Sequence, residues 1–204
     1  MKPVPLENPY CTIEDLREHL KDSHERLDET LLERAINAAC RAIERYCGRK
    51  FWLDPAPTVH HYRPVEPDLV AVHDIGSASD LVVQTLTGGG WETWDPSDYT
   101  LEPLNADAAG GAYSWTRIAA AGGRSFPVGV QAPALRITAY HGWSQVPDDI
   151  VQAAVLKAAA LFRRKDAPFG IAGVGDFGPV RITRRDVDVV ELLGNFLRPF
   201  PPDT

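Results

Sequence analysis

The chain has 204 residues, of which 44% are hydrophobic and 24% charged, which is typical of a soluble globular protein with one domain and an insertion, or with two small domains. The formal net charge of −7 argues against tight wrapping of nucleic acid, because binding to phosphate requires an excess of lysine and arginine. The charge is uneven, with a net of −8 over residues 1–160 and +1 over residues 161–204. We therefore expect the C-terminal part to have a role of its own.

The three cysteines, Cys11, Cys40 and Cys47, do not suggest a disulfide framework. Cys40 and Cys47 would lie two turns apart on one helix, about 10 Å, which is too far for a disulfide bond. No CxxC pair occurs, so metal or redox chemistry at these thiols is not indicated. No signal peptide or membrane span is visible either. The sequence predicts reduced thiols packed in a core, in a protein made in a cytoplasm.

Two helices are predicted in the first fifty residues, near residues 12–20 and 28–47. Thr12 and Asp15 have the spacing of a capping box at the start of the first helix. Asp28 can cap the second helix and Gly48 can end it. The second helix has a broad apolar face opposite a charged one, which is the pattern of an amphipathic helix packed on a core.

Residues 51–140 are predicted to form an inserted antiparallel β unit. Prolines are frequent between residues 55 and 67, where they break any helix. Short β-rich runs follow, namely Leu69–Ile75, Leu81–Leu86, Trp91–Trp94, Tyr99–Leu101, Tyr113–Ile118 and Leu135–Tyr140. The glycines at 88–90 predict a hairpin loop between two of these strands.

A third helix, near residues 148–165, is predicted to be apolar almost all round. Pro147 stands where a first helical turn tolerates proline, and acidic and basic residues match the macrodipole at the two ends. Only Gln152 and Lys157 interrupt the apolar run, and they point about 140° apart. Such a helix is expected at the centre of a bundle, or with part of its cover supplied by a neighbouring subunit.

The C-terminal residues 167–204 are predicted to be a flexible linker followed by a docking arm. The stretch 166–180 is rich in glycine, and a short strand at 180–183 and a short helix at 186–193 could follow it. The expected fold class is therefore α+β. It has a helical bundle core from residues 1–50 and 141–166, the inserted β-rich domain at 51–140, and the arm.

No pattern of catalytic or metal-binding residues is found among the six histidines. His60 and His61 would point to opposite faces of a strand and could not chelate a metal together. Asp176-Phe177-Gly178 spells a kinase triplet, but none of the other kinase motifs accompanies it. We expect neither enzyme activity nor a cofactor. A pocket that joined His60, His73 and Asp74 would reopen the possibility of an enzyme.

The aromatic residues of the β unit leave a second function open. They could form a stacking platform for sugars or bases, or fill the core of a small sheet; they are Trp91, Trp94, Trp115, Trp143, Tyr99 and Tyr113. Core packing is favoured for most of them. The alternative function is therefore an aromatic-rich β module that recognises carbohydrate or a host surface.

The order of these elements resembles that of the head-tail connector proteins of long-tailed bacteriophages, also called adaptor or head-completion proteins. Similar proteins occur in gene transfer agents. The resemblance covers nearly the whole chain and is carried by four stretches, namely Cys11–Leu16, Ile43–Arg49, Ala139–Trp143 and Val146–Ile150.

The resemblance implies a non-enzymatic structural protein of the virion. Similar proteins form a ring, typically of twelve subunits, below the portal at the capsid vertex. The ring extends the DNA channel and receives the tail or stopper protein. The implied partners are other copies of the chain, the portal, the tail or stopper, and passing double-stranded DNA bound without sequence specificity, with no membrane. The implied location is the head-tail interface of a virion assembled in the host cytoplasm.

The C-terminal segment of similar proteins reaches toward the portal. Mapped onto this sequence, the resemblance gives a portal-docking arm that runs through Arg181, Ile182, Arg184, Arg185, Phe196 and Phe200. The three arginines of this arm could instead contact DNA phosphate, although the neighbouring aspartates indicate that the arginines lie on a solvated or interfacial face. In a ring, Gln152 and Lys157 become inter-subunit or lumen-side contacts.

Overall fold

The computed structural model describes residues 5–20, 28–106, 113–130, 132–164, 171–175, 178–181 and 186–198, with the backbone alone for 171–175 and 178–181. In chain order, the elements are α1 (Ile13–Leu20), α2 (Glu29–Cys47), β1 (Thr58–Tyr62), β2 (Leu69–Thr87), β3 (Gly90–Thr93), β4 (Tyr99–Glu102), β5 (Trp115–Ala120), β6 (Leu135–His141), α3 (Asp148–Arg163), β7 (Ile171–Gly175), β8 (Gly178–Arg181) and α4 (Val187–Leu193). The expected α+β class is confirmed.

The described residues form two compact units. One, the helical unit, contains the residues up to Cys47 and those from Pro147 to Leu197. The other, the β unit, contains the residues from Gly48 to Val146 together with Arg198. The chain therefore leaves the helical unit after α2, returns to it before α3, and ends its described part with an arginine that belongs to the β unit.

Local capping signals set the first two helices. The Thr12 backbone N–H donates to Asp15 Oδ2 at 2.8 Å, and the Asp15 N–H donates to Thr12 Oγ1 at 3.1 Å, so the expected capping box is formed. Asp28 Oδ1 accepts from the Thr30 N–H at 2.9 Å at the start of α2. Gly48 follows α2 with φ +68°, the left-handed conformation that ends helices.

Helix α3 is the centre of the helical unit, as its apolar sequence indicates. It packs against α1, α2 and α4. Its buried residues are Ile150, Ala153, Ala154, Val155, Ala158, Ala159 and Phe162. Four alanines in this set allow neighbouring helices to approach closely, which larger side chains would prevent.

The β unit is built on one long strand that is shared by two groups of strands. The strand order in the six-stranded sheet is β1-β6-β2-β5-β4, and β3 pairs with the C-terminal part of β2. The first half of β2 pairs with β5, from Leu69 opposite Ala119, and the second half pairs with β6, ending with Thr85 opposite Leu135. Register shifts between Ile75 and Val82 separate the halves. β2 thus joins both groups of strands around one core.

That core draws on both halves of β2. It consists of Tyr62, Val70, Val72, Ile75, Val83, Trp94, Ile118, Phe126, Leu135, Ile137 and Ala139. At about 25 cal/mol per Å² of apolar surface removed from water, side chains of this size are the main source of stability in a sheet with little helix cover of its own.

Two local predictions need correction, and one strand lies outside the predicted β-rich runs. Strand β1, which contains His60 and His61, pairs with β6 from Thr58 opposite Ala139 to Tyr62 opposite Leu135. The two strands expected at 69–75 and 81–86 are one, because the strand continues between them through the register shifts, with Asp80 at φ +56°. In place of a wholly flexible connector, β7 and β8 pair as an antiparallel hairpin.

The cysteines are free and buried, as expected. Burial raises the pKa of the Cys11 thiol to about 12, so it carries almost no thiolate at neutral pH. The Tyr10 backbone N–H points at Cys40 Sγ from 3.3 Å. Among the described residues, no helix has the length and apolarity that crossing a membrane requires.

Candidate functional site

The expected portal-docking residues do not lie together on one surface that the structure describes. Arg181 is the last residue of β8, where its backbone lies opposite Ile171. Phe196 is only 6% exposed and belongs to the helical unit, so its ring is buried within that unit. The positions Ile182, Arg184, Arg185 and Phe200 lie outside the described residues.

The two polar residues of α3 lie in different environments. Gln152 is exposed, whereas Lys157 is half-buried. Lys157 borders a groove of about 190 Å³ within the helical unit, whose walls come from α2, α3 and α4. The lining residues are Ala42, Ile43, Tyr46, Lys157, Asp186, Val189, Val190 and Leu193. Of the two expected inter-subunit contacts, Gln152 is the one freely presented to solvent.

A buried ionic cluster, which the sequence did not predict, surrounds Asp74 in the β unit. The Asp74 side chain is 3% exposed, and its Oδ1 lies 3.4 Å from Arg49 Nη1 and 3.1 Å from Arg198 Nη2. The Trp143 indole N–H donates to Asp74 Oδ2 at 3.3 Å. Both arginine contacts are charge contacts, because neither guanidinium is aligned as a hydrogen-bond donor to Oδ1. The cluster fixes Arg198 against the β unit.

Three histidine rings meet beside this cluster. The rings of His60 and His141 stack at 3.9 Å, and the His73 ring meets His60 edge-on at 4.5 Å. The Tyr62 hydroxyl accepts the His73 backbone N–H and lies 3.1 Å from His73 Nδ1. The Tyr62 hydroxyl thus contacts both the backbone and the ring of His73, and the His73 tautomer decides which group donates in the contact with Nδ1.

Burial keeps these histidines neutral. It lowers the pKa of His73 to about 4, with further lowering from His60 and Arg198. Burial, and then His60, lower the pKa of His141 to about 4 as well. The His60 pKa is also lowered, first by burial and then by Lys50. Imidazoles with such low pKa values are weak bases at neutral pH and hold no charge.

The histidine geometry does not suit metal binding. Parallel rings at 3.9 Å direct their nitrogen lone pairs side by side, so two of them cannot converge on one ion. Within the part of the chain that the structure describes, no group of three or more His, Cys, Asp or Glu side chains could hold a metal. His60, His73 and Asp74 do come near each other, but the Asp74 carboxylate faces arginines and an indole. No acid-base pair for catalysis results among these three.

The aromatic residues divide between core and surface. Trp94 is 4% exposed, stacks on Phe126 at 4.8 Å and donates its indole N–H to Thr85 Oγ1 at 2.8 Å. Trp143 is also buried, at 3%. Trp91 is half-buried, and Tyr113 is 53% exposed. Tyr99 and Trp115 are half-buried and pack against the core of the β unit. Four of the six aromatics, including Trp94 and Trp143, therefore serve the core, as expected.

Trp91 belongs to a polar face on the outside of the sheet. The Arg136 guanidinium lies over the Trp91 ring, 4.6 Å from its centroid, and the His61 ring meets the same indole at 6.0 Å. Arg136 Nε donates to Gln84 Oε1 at 2.6 Å. Gln84 Nε2 in turn donates to Thr93 Oγ1 at 2.8 Å. We call this set the Arg136 face.

The fold is similar to that of chains in solved gene transfer agent (GTA) particles. A chain in the neck of an empty GTA particle, computed with C6 symmetry, aligns with a TM-score of 0.55 at 19% identity, covering 97% of this chain and 94% of that one. A chain in the neck of a native particle, computed with C12 symmetry, aligns with a TM-score of 0.53 at 16% identity, over 97% and 93%. A chain of the native GTA virion gives 0.52 at 17% identity, over 95% and 92%.

These similarities confirm, at the level of the fold, the resemblance that the order of elements suggested. They extend over both the helical unit and the β unit, because almost the whole chain aligns in each case. No protein-family profile matches the sequence. No curated protein sequence gives a significant match.

Proposed function

We propose that this chain is a structural protein of a phage-like particle, located in the neck, where copies of it form a closed ring between head and tail. The observation that carries the proposal is the nearly complete fold match to neck chains whose particles were computed with C6 and C12 symmetry. In a cyclic assembly each subunit binds its two neighbours through two different surfaces, and repeating this contact around the symmetry axis closes the ring. The fold match therefore supports a neck position for this chain.

The proposed ring has twelve subunits, lies below the portal and extends the DNA channel toward the tail or stopper protein. The formal charge of −7 supports a channel through which DNA slides, because strong attraction to phosphate would require basic clusters. Portal docking is assigned to the C-terminal segment that contains Arg181, Ile182, Arg184, Arg185 and Phe200. Phe196 is removed from this set, since its ring is buried in the helical unit.

The proposed role is non-enzymatic and uses no cofactor. The two histidines of the β unit with strongly lowered pKa values, His73 and His141, are held neutral by burial. Of the two buried carboxylates near them, Asp74 is engaged by two arginines, and Asp54 is engaged by Lys50 and the Thr58 hydroxyl. Each of these groups has a structural explanation.

Electron microscopy of the protein mixed with the portal of its own particle tests the proposal. We expect a ring at the outer end of the portal, and we expect the chain among the proteins of purified particles. Purified particles that lack the chain, or a portal that never acquires a ring, would refute the neck assignment.

The second candidate function is the carbohydrate or host-surface module. It would use the aromatic side chains that remain at the surface, such as Trp91 and Tyr113. Trp91→Ala should then abolish binding of the protein to cells or glycans while ring formation survives. Equal binding by wild type and variant would exclude this alternative at Trp91.

A further inference from the structure

The Arg136 face holds an arginine that is oriented before any ligand arrives. His61, Arg136, Gln84 and Thr93 are cross-strand neighbours in one row over β1, β6, β2 and β3. Residues in register on one side of a sheet have side chains in contact. The row therefore brings the side chains together without any loop.

Two contacts fix the orientation of the Arg136 guanidinium. Its Nε is bound by Gln84 at 2.6 Å, and its plane is covered on one side by the Trp91 ring. Gln84 is itself held by Thr93. The Nη1 and Nη2 atoms make no hydrogen bond or ion pair with any residue that the structure describes. A guanidinium held in this way loses little conformational entropy when it binds a carboxylate through two parallel hydrogen bonds.

The missing counter-charge distinguishes Arg136 from its neighbours. The segment 48–146 has six basic and ten acidic side chains, a net charge of −4. Four of the basic side chains pair with described carboxylates, namely Arg49, Lys50, Arg117 and Arg124. Of the other two, Arg63 is exposed, whereas Arg136 is half-buried. Arg136 is thus a half-buried, oriented cation with no acidic partner among the residues that the structure describes, and it is suited to bind a carboxylate.

We infer that the Arg136 face is a subunit contact that receives an acidic side chain from a second copy of this chain. The inference rests on the proposed ring and names one of its two contact surfaces. The local charge selects the occupant, because a single guanidinium suits a single carboxylate and a second copy offers 28 acidic residues. DNA is disfavoured, since a polyanion would meet the net negative β unit around this single cation.

Zero-length cross-linking tests the contact directly. Arg136→Lys places an amine on the face, and a carbodiimide joins an amine only to a carboxylate that touches it. Rings assembled from mixed isotope-labelled and unlabelled copies should yield peptides that join this position to an aspartate or glutamate of another copy. Arg63→Lys is the matched control and should yield none.

A second variant measures the strength of the contact. Arg136→Ala should weaken subunit association about tenfold, equivalent to about 1.4 kcal/mol per contact. The loss should diminish at high salt, where the wild-type contact is screened. Arg63→Ala should associate like wild type. Far-ultraviolet circular dichroism should show that both variants remain folded.

The outcomes separate this inference from the proposed function. Rings that form equally with Arg136→Ala, without the cross-link, would overturn the inference and leave the ring intact. A cross-link to the portal or tail protein would overturn the second copy as occupant. A wild-type protein that forms no ring, alone or on the portal, would overturn both.

Discussion

Removing the Asp74 carboxylate should destabilise the β unit more than removing one partner of a surface ion pair does. Asp74→Ala would leave Arg49 and Arg198 facing each other with side chains only 10% and 11% exposed. Breaking a buried ion pair by deleting one partner costs about 3–5 kcal/mol, because the remaining charge stays desolvated. Arg198→Ala should cost less, about 1–3 kcal/mol, since Asp74 retains Arg49.

Tryptophan fluorescence makes the measurement specific to the β unit. All five tryptophans of the chain lie between residues 52 and 143. With a urea dependence of about 1.5 kcal/mol per M, the Asp74→Ala midpoint should fall by about 2–3 M, and that of Arg198→Ala by about 1 M. Replacing Arg49, Asp74 and Arg198 together by apolar residues of similar size should restore much of the lost stability.

The matched control is an exposed ion pair in the same unit. Arg117 Nη2 lies 3.1 Å from Glu102 Oε2, with side chains 49% and 30% exposed. Arg117→Ala should cost less than about 1 kcal/mol. If Asp74→Ala lowered the urea midpoint no more than Arg117→Ala, the reasoning about the buried cluster would be refuted.

Three other substitutions test the neutral histidines, the close backbone contact between Gly142 and Trp52, and the core of the helical unit. Burial lowers the pKa of His141 from the usual 6.5 to about 4, so the unfolded chain binds a proton at a higher pH than the folded chain does. The free energy of unfolding should therefore fall as the pH drops from about 6.5 towards 4. His141→Phe should reduce this fall, measured as the urea midpoint of tryptophan fluorescence. Gly142→Ala should prevent stable folding of the β unit, because φ is +111° and a Cβ would collide with the Trp52 carbonyl oxygen. Ile150→Ala should cost about 2–5 kcal/mol, measured by helical circular dichroism during unfolding.

For each of these predictions, a specific result would contradict the reasoning. A wild-type midpoint that stays constant between about pH 6.5 and about pH 5 would contradict the neutral histidines. Gly89→Ala is the control for Gly142, because its Cβ would meet nothing within 4 Å, and equal effects of the two would contradict the steric argument. Val187→Ala, at a position 71% exposed, should be nearly neutral, and a loss as large as that of Ile150→Ala would contradict the assigned core.

The helices could be predicted because their signals are local. The capping residues Thr12 and Asp28, the glycine after α2 and the apolar run of α3 all lie within a few residues of the structure that they determine. The structure adds which helices pack on α3, since packing partners depend on contacts between distant segments.

The β unit was harder to predict because its pairings are non-local. Strand β1 lies between prolines and is not among the predicted β-rich runs, although His60 and His61 were expected on a strand; its pairing with β6 establishes it. Separate strands were predicted at 69–75 and 81–86, yet β2 continues through the residues between them. In both cases tertiary pairing outweighed the local propensity.

The polar clusters could be predicted only in part. Leu135, Ile137 and Ala139 alternate on the buried side of β6, and the same alternation places His141 there too. Nothing in the local sequence joins Asp74 to Arg198, because the two residues are 124 positions apart in the chain. The Arg136 face likewise depends on register across four strands.

The shared strand β2 makes the β unit cooperative. Its first half cannot detach from β5 without disturbing the continuous backbone that its second half presents to β6 and β3. Backbone amides along both halves should therefore exchange with solvent deuterium through the same opening event, with similar protection. The two groups of strands would then behave as one folding unit, and a subunit contact at one end of β2 would slow amide exchange at the other.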